Sequence, residues 1–423
     1  MKKNSSIITL VLLAIFIFSC EREDKKTIKP WNSGPITGYV VTPIYGGATI
    51  SYTLPNDPDV LYVMAEYERN GKVFTEKSSV YKNTLTIQGF DTQNPVKVTL
   101  YKVNQDEQRS EPVKIEFQPL ESLVSIAKNS LKFVTGFGGI IASWDNPNET
   151  ELGVHLMVKD STNQLVSTER YYSALKNDAH AFRGFEAKET TFAIAFEDKW
   201  GNISDTVRFT TLPFFERMIP KPYADYRTSI PYDNISNLSN RNTSTLWDNI
   251  VNTASHGWLT APGNSGLSMT IDMKRVTKLS RIVIHGYHKD SPYGQANITS
   301  FEAWGINKID MSKLPDKPYW LDEPSVRNGA ILTVPPTTQL PARTFKDDWQ
   351  YLGFNSIPVY TAPEAIKAQS ANGTEYTMPI DALPVRYIRI FVRGITLISP
   401  PPANNYWSMG EITFYGDDTV PQQ

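Results

Sequence analysis

The stretch GGATISYTLPND at residues 46–57 returns without gaps as GGIIASWDNPNE at residues 138–149. The correspondence continues outward. Gln88-Gly89-Phe90 matches Arg183-Gly184-Phe185, and Val113-Lys114-Ile115-Glu116-Phe117 before Pro119 mirrors Val207-Arg208-Phe209-Thr210-Thr211 before Pro213. The offset stays between 92 and 95 residues (46 to 138, 113 to 207, 88 to 183), so one domain is duplicated in tandem. Each copy reads as short alternating strands broken by turns. Val96 to Val103 and Thr191 to Phe196 are rich in β-branched and aromatic residues, and Asp198-Lys199-Trp200-Gly201-Asn202 is a turn between two such strands.

Composition agrees with short strands. In 423 residues there are 24 Gly, 29 Pro, 21 Tyr, 19 Phe and 9 Trp. The 42 Lys+Arg against 44 Asp+Glu leave a net charge of −2, with no basic field to attract a phosphate backbone, so no nucleic-acid partner is expected. A single Cys excludes a disulfide framework and a zinc-thiolate site. A copy of about 90 residues with about seven strands resembles an immunoglobulin-like or fibronectin-type-III-like sandwich. Tyr52 and Trp144 share one strand position in the two copies and are expected between the sheets.

The one cysteine is well placed. Lys2 and Lys3 precede an apolar run from Ile7 to Phe18, which is too short to span a bilayer, and Ser19-Cys20 follow at once. Ile17-Phe18-Ser19-Cys20 resembles the lipobox of bacterial lipoproteins, with Phe18 departing from the small or branched residue usual there. The resemblance implies a signal peptide over 1–19, lipidation of Cys20 and attachment to outer-membrane lipid. A charged tether follows over 20–35, beginning Glu21-Arg22-Glu23-Asp24. Its acidic residues resemble the surface-export signal of Bacteroidetes-type lipoproteins, which implies a protein facing the cell exterior.

Sandwich copies are expected over 36–119 and 120–213, then a Pro-rich join over 213–222 and a different domain over 222–418. In that last domain, Arg386, Ile388, Ile390 and Val392 alternate with Tyr387, Arg389, Phe391 and Arg393 along one strand. Leu246-Trp247-Asp248, Trp258, Thr270-Ile271-Asp272-Met273, Ile282 to Ile284, Trp349 to Gly353, Arg386 to Ile390 and Gly410-Glu411-Ile412 follow in an order that resembles a discoidin (coagulation-factor type C) domain. The match departs at a Pro-rich insertion over about 307–343. The expected fold class is all-β: two tandem immunoglobulin/fibronectin-III-like sandwiches, then a galactose-binding-like jelly roll.

The discoidin resemblance implies a ligand held by loops at one end of the barrel, an aromatic ring covering a sugar's apolar face while polar groups fix its hydroxyls. Candidates are Tyr287, His288, Tyr293, Trp320, Arg393, Asn405, Tyr406 and Trp407. It also implies a structural Ca²⁺ held by Asp248, Asn252, Thr253 and Glu411, whose hard oxygens suit that ion. No organic cofactor is expected. The chain carries no Gly-x-Ser-x-Gly, His-Glu-x-x-His or phosphate-cradling loop, and Asp347-Asp348 are neighbours whose side chains should diverge. The complete layout resembles the surface glycan-binding lipoproteins of polysaccharide-utilisation systems. That implies non-catalytic capture of a polysaccharide or glycoprotein glycan beside a TonB-dependent transporter complex. Adhesion to a protein partner is the alternative reading, and a glycoside hydrolase or lyase a third.

Overall fold

The computed structural model describes residues 30–53, 55–233, 242–251, 253, 256–260, 268–287, 297–321, 325–327, 330–332, 341–396 and 407–422. It is an all-β sandwich architecture. The first copy holds β1 (Val40–Ile44), β2 (Gly47–Ser51), β3 (Val60–Arg69), β4 (Lys72–Ser79), β5 (Thr84–Gln88), β6 (Val96–Asn104) and β7 (Val113–Phe117). The second holds β8 (Lys132–Gly136), β9 (Gly139–Asp145), β10 (Leu152–Lys159), β11 (Leu165–Ser173), β12 (Asn177–Phe182), β13 (Thr190–Asp198) and β14 (Val207–Thr211). Sheets β1-β2-β5 and β4-β3-β6-β7 recur as β8-β9-β12 and β11-β10-β13-β14. The duplication in sequence is thus a duplication of topology.

The repeated Gly-Gly has a local physical cause. Gly46 and Gly138 turn their hairpins at φ +60° and +62°, the left-handed region that a side chain disfavours. The second glycine of each pair lies against the neighbouring strand. A Cβ on Gly47 would sit 2.0 Å from the Ile87 carbonyl oxygen, and one on Gly139 2.0 Å from that of Phe182. The same hairpins steer the chain out of each domain: Gly46 N–H donates to Leu120 O (3.1 Å) and Leu120 N–H to Ile44 O (3.0 Å), while Gly138 N–H donates to Phe214 O (2.8 Å) and Phe214 N–H to Gly136 O (3.0 Å). Alternation then fills the cores. Ile50, Tyr52, Val63 and Leu100 are buried in the first copy, and Trp144, Val154, Phe182 and Phe196 in the second. One element went unforeseen in the sequence. Helix α1 (Leu123–Ser130), N-capped by Ser122, seals the second core with Leu123, Val124 and Ala127.

The Pro-rich join is not a free linker. Its β15 (Arg217–Met218) pairs with the last strand of the third domain, and Ile219 is fully buried in that domain's core. The third domain continues with β16 (Ala224–Asp225), β17 (Trp258–Leu259), β18 (Ser268–His285), β19 (Ile298–Ile306), β20 (Ser325–Arg327), β21 (Ala330–Leu332), β22 (Gln350–Ser356), α2 (Pro363–Asn372), β23 (Thr374–Thr377), β24 (Val385–Ile395), β25 (Ser408–Met409) and β26 (Glu411–Asp417). The long β18 breaks register between Asp272 and Thr277. Its first part pairs with β24, its second with β26, so one strand serves both sides of the barrel.

Strand β24 is covered on both faces. Ile388, Ile390 and Val392 point into the main core. The opposite face lies under a second cluster that includes Trp304, Tyr319, Trp320, Phe345, Trp349 and Tyr387. The insertion supplies part of that outer layer through two 3-10 turns, Met311–Lys313 and Lys317–Trp320.

Candidate functional site

At one end of the barrel, strand ends are tied into a collar. Thr260 N–H donates to Trp407 O, and Trp407 N–H to Thr260 Oγ1, both at 3.0 Å. Asn297 is the centre. Its Oδ1 accepts from Tyr287 N–H (2.6 Å) and Ser408 Oγ (3.3 Å), and its carbonyl from Thr396 N–H (2.9 Å). Segments 261–267, 288–296 and 397–406 all leave from this collar. His288, Tyr293, Asn405 and Tyr406 lie in those segments, outside the described residues, as do Cys20 and Asn252. The collar therefore gathers the origins of the expected ligand loops. On the paired β18 and β26, His285 opposite Glu411 is at the collar end, and Arg281 opposite Tyr415 at the domain junction.

The remaining aromatic candidates are structural. Trp407 is 1% exposed and packs edge-on against Trp258, ring centroids 4.7 Å apart. Trp320 is also 1% exposed, its indole N–H donating to Lys313 O (2.8 Å) between Tyr319 and Phe345. Neither ring offers a face to a sugar. Tyr287 is likewise buried. Arg393 turns its guanidinium to Glu302, with Nε 2.9 Å from Oε1. Burial acts to raise the Glu302 carboxyl, but Arg393, Trp304 N–H and Lys346 outweigh it and hold the group below the usual range. The two neighbouring aspartates diverge: Asp347 caps its own turn at Thr344 N–H, and Asp348 accepts from the Tyr319 hydroxyl.

Of the four residues expected to hold Ca²⁺, Glu411 is engaged by a lysine of the chain itself. Lys221 Nζ donates to Glu411 Oε1 and to Asn249 Oδ1, and Glu411 also accepts from Asn249 N–H. Lys221 and Glu411 side chains are 7% and 1% exposed. Burial raises the Glu411 carboxyl, and the adjacent ammonium works against that rise. Asp248 faces His256 instead (2.9 Å), and Thr253 is exposed. Among the described residues no three His, Cys, Asp or Glu side chains converge on one point. An ammonium in this place would repel a divalent cation, so Glu411 as paired here does not fit Ca²⁺, while Asn252 lies outside the described residues. Chelation is accordingly expected to leave the melting temperature of the chain unchanged, and added Ca²⁺ likewise. Lys221→Met, which strands a buried carboxylate, should cost on the order of 3 kcal/mol. A chelator-dependent melting shift would restore Asp248 and Glu411 as ligands. Nothing in the sequence near Lys221 signals this role, because the pairing spans 190 positions.

Three family models, each described as a domain of unknown function, match residues 33–119 (DUF4959), 120–222 (DUF5126) and 247–416 (DUF5000). The search of curated proteins finds no match. Among solved structures, the chain is similar to a SusE-like protein at 19% identity and TM-score 0.35, over 69% of this chain and 97% of that one. It is similar to a two-domain fibronectin type-III segment of chicken tenascin at 12% identity and TM-score 0.21, over 42% and 98% of the two chains. An F5/8 type C domain from Bacteroides fragilis matches at 14% identity and TM-score 0.24, over 47% and 91%.

Proposed function

We propose that this chain is a non-catalytic, lipid-anchored capture protein that holds a glycan at the outer surface of the outer membrane. The observation that carries the reading is the collar. Hydrogen bonds through Asn297, and between Thr260 and Trp407, tie together the strand ends from which segments 261–267, 288–296 and 397–406 leave, and those segments carry most of the expected ligand residues. A set of loops on a rigid barrel is a binding platform. The lipobox-like sequence at Cys20 puts the anchor at the other end of the chain, and the two braced sandwiches serve as the spacer. Among the described residues no helix is long and apolar enough to cross a membrane. A TonB-dependent transporter beside it would take up what the collar loops hold.

The test is titration calorimetry of the full chain against plant, host and microbial glycans. Saturable binding to one glycan class is the expected result. Silence across the panel with a folded protein would overturn it. Affinity capture of one protein, insensitive to competing sugars, would move the reading to adhesion. Release of reducing sugar, abolished by Asp or Glu substitution in the third domain, would move it to hydrolysis.

A further inference from the structure

A second cleft, of about 490 Å³, opens on the outer face of the second sandwich, and it has a built floor. On β10, Gly153 sits in register between Tyr172 of β11 and Glu197 of β13. Gly153 is buried because the Tyr172 ring and the His155 imidazole close over it, a Cβ there standing 3.3 Å from Tyr172 Cε1 and 3.4 Å from His155 Nε2; Tyr172 and Glu197 then line the trough above. Tyr172 is 57% exposed. Glu151 and Arg170 line the trough, and neither they nor the Tyr172 hydroxyl has a hydrogen-bond or ion-pair partner among the described residues. His155, on the same face of β10 as Gly153, is a buried side chain whose Nε2 lies 2.7 Å from Glu197 Oε2. Trp200 closes the far end, against Gly89 of the first sandwich, with the Lys199 ammonium 4.6 Å from its ring centroid.

The duplicate copy provides the control. Val60 pairs with Asn104 as Leu152 pairs with Asp198. Asn104 Oδ1 accepts from Asp106 and Gln108 N–H just as Asp198 Oδ1 accepts from Trp200 and Asn202 N–H. The first copy bulges at Leu61, so that Tyr62 pairs with Val103 as Gly153 pairs with Glu197; it therefore has Tyr62 where the second has Gly153, and Asp106 where the second has Trp200. The Tyr62 ring fills that place, with the Lys77 ammonium 4.3 Å from its centroid and its hydroxyl donating to Glu107. The trough belongs to the second copy's side chains and is not a by-product of the fold.

We infer that this trough is a second saccharide site, for a short uncharged oligosaccharide, and the inference rests on the glycan-capture reading above. An exposed tyrosine ring beside unpartnered carboxylate and guanidinium groups suits a pyranose, whose C–H face packs on the ring while its hydroxyls both donate and accept. The volume lies within the range of small-ligand clefts. Glu151, Glu197 and Asp198 face Arg170 and Lys199, a lining of net charge −1 that disfavours an acidic sugar.

The test uses Gly153→Tyr, which installs the first copy's residue, and Tyr172→Ala, on the full chain. The probes are oligosaccharides of the xylan, mannan, galactan and glucan series, with oligogalacturonate as the acidic comparator. Two sites per chain are expected, one of them weakened about tenfold or more by either substitution. Circular dichroism spectra matching the parent would show that both variants fold. One site per chain, indifferent to both substitutions, would overturn the inference and leave capture at the collar standing. Cleft-dependent binding of oligogalacturonate alone would overturn the uncharged class. No heat with any probe would overturn this inference, and the wider panel of plant, host and microbial glycans would then decide the glycan-capture reading.

Discussion

Asp233→Ala is expected to lower the stability of the third domain by about 3–5 kcal/mol, as breaking one side of a buried ion pair does. Asp233 and Arg389 are both fully buried, with Arg389 Nη2 3.3 Å from Asp233 Oδ1. The carboxylate also accepts from Ser268 Oγ (2.6 Å) and Thr270 N–H (2.8 Å), and the guanidinium lies 4.3 Å from the Phe345 ring centroid. Removing the carboxylate leaves a cation sealed under the outer aromatic layer, where water cannot replace the lost partner. Arg389→Met should cost a similar amount. The pair Asp233→Leu with Arg389→Met should recover most of it, because no lone charge then stays buried. Urea unfolding followed by tryptophan emission reads all three, since Trp258, Trp304, Trp320 and Trp407 report on this domain. A single substitution costing less than about 1 kcal/mol would show that the pair is hydrated and the outer layer loose.

That pair also marks where the sequence stops being legible. The period-two pattern of β24 places Arg389 opposite Ile388 and Ile390, and an arginine on the face away from the core reads as solvent-facing. It is buried because the insertion folds back over the strand, and no local pattern announces a layer made from residues some 70 positions upstream. Trp320 is misread for the same reason: an aromatic in a Pro-rich insertion resembles a loop residue until the cluster it joins is seen. Lys221 is read as part of a linker, yet its ammonium engages Glu411, a residue expected to hold a metal. The Gly-Gly repeat is different. Its demands, a positive φ and the absence of a Cβ, act within one hairpin, so the residues carry the fold on their face. The two sandwiches are legible for that reason. The second copy's trough is not, because it depends on Gly153 meeting Tyr172 and Glu197 across three strands.

Glu216→Ala is expected to loosen the joint between the second sandwich and the third domain without unfolding either. Glu216 is 7% exposed and lies between two arginines: Arg183 of the sandwich at 3.2 Å, and Arg281 of β18, whose Nη2 is also at 3.2 Å. Ser280 Oγ donates to the same carboxylate. Glu375 bridges the two arginines from the other side, at 3.3 Å from Arg183 and 2.6 Å from Arg281. The four charges form a closed, largely buried ring. Without Glu216, two guanidiniums face each other across the junction with only the half-exposed Glu375 between them, a change worth about 3 kcal/mol. The cores on either side are separate clusters and should keep their own transitions. Small-angle scattering should then show a broader distribution of interdomain distances than the parent chain, and Glu216→Gln should fall between the two, since the amide restores hydrogen bonds but not charge. An unchanged scattering profile for Glu216→Ala would show that backbone bracing alone sets the geometry. On the capture reading proposed above, the joint matters because it sets the spacing between the trough and the collar. Two sites held at one separation along a polysaccharide gain from each other's binding, and a loose joint dilutes that gain. Glu216→Ala should therefore weaken binding to a long polysaccharide while leaving the affinity for a single short oligosaccharide as it was.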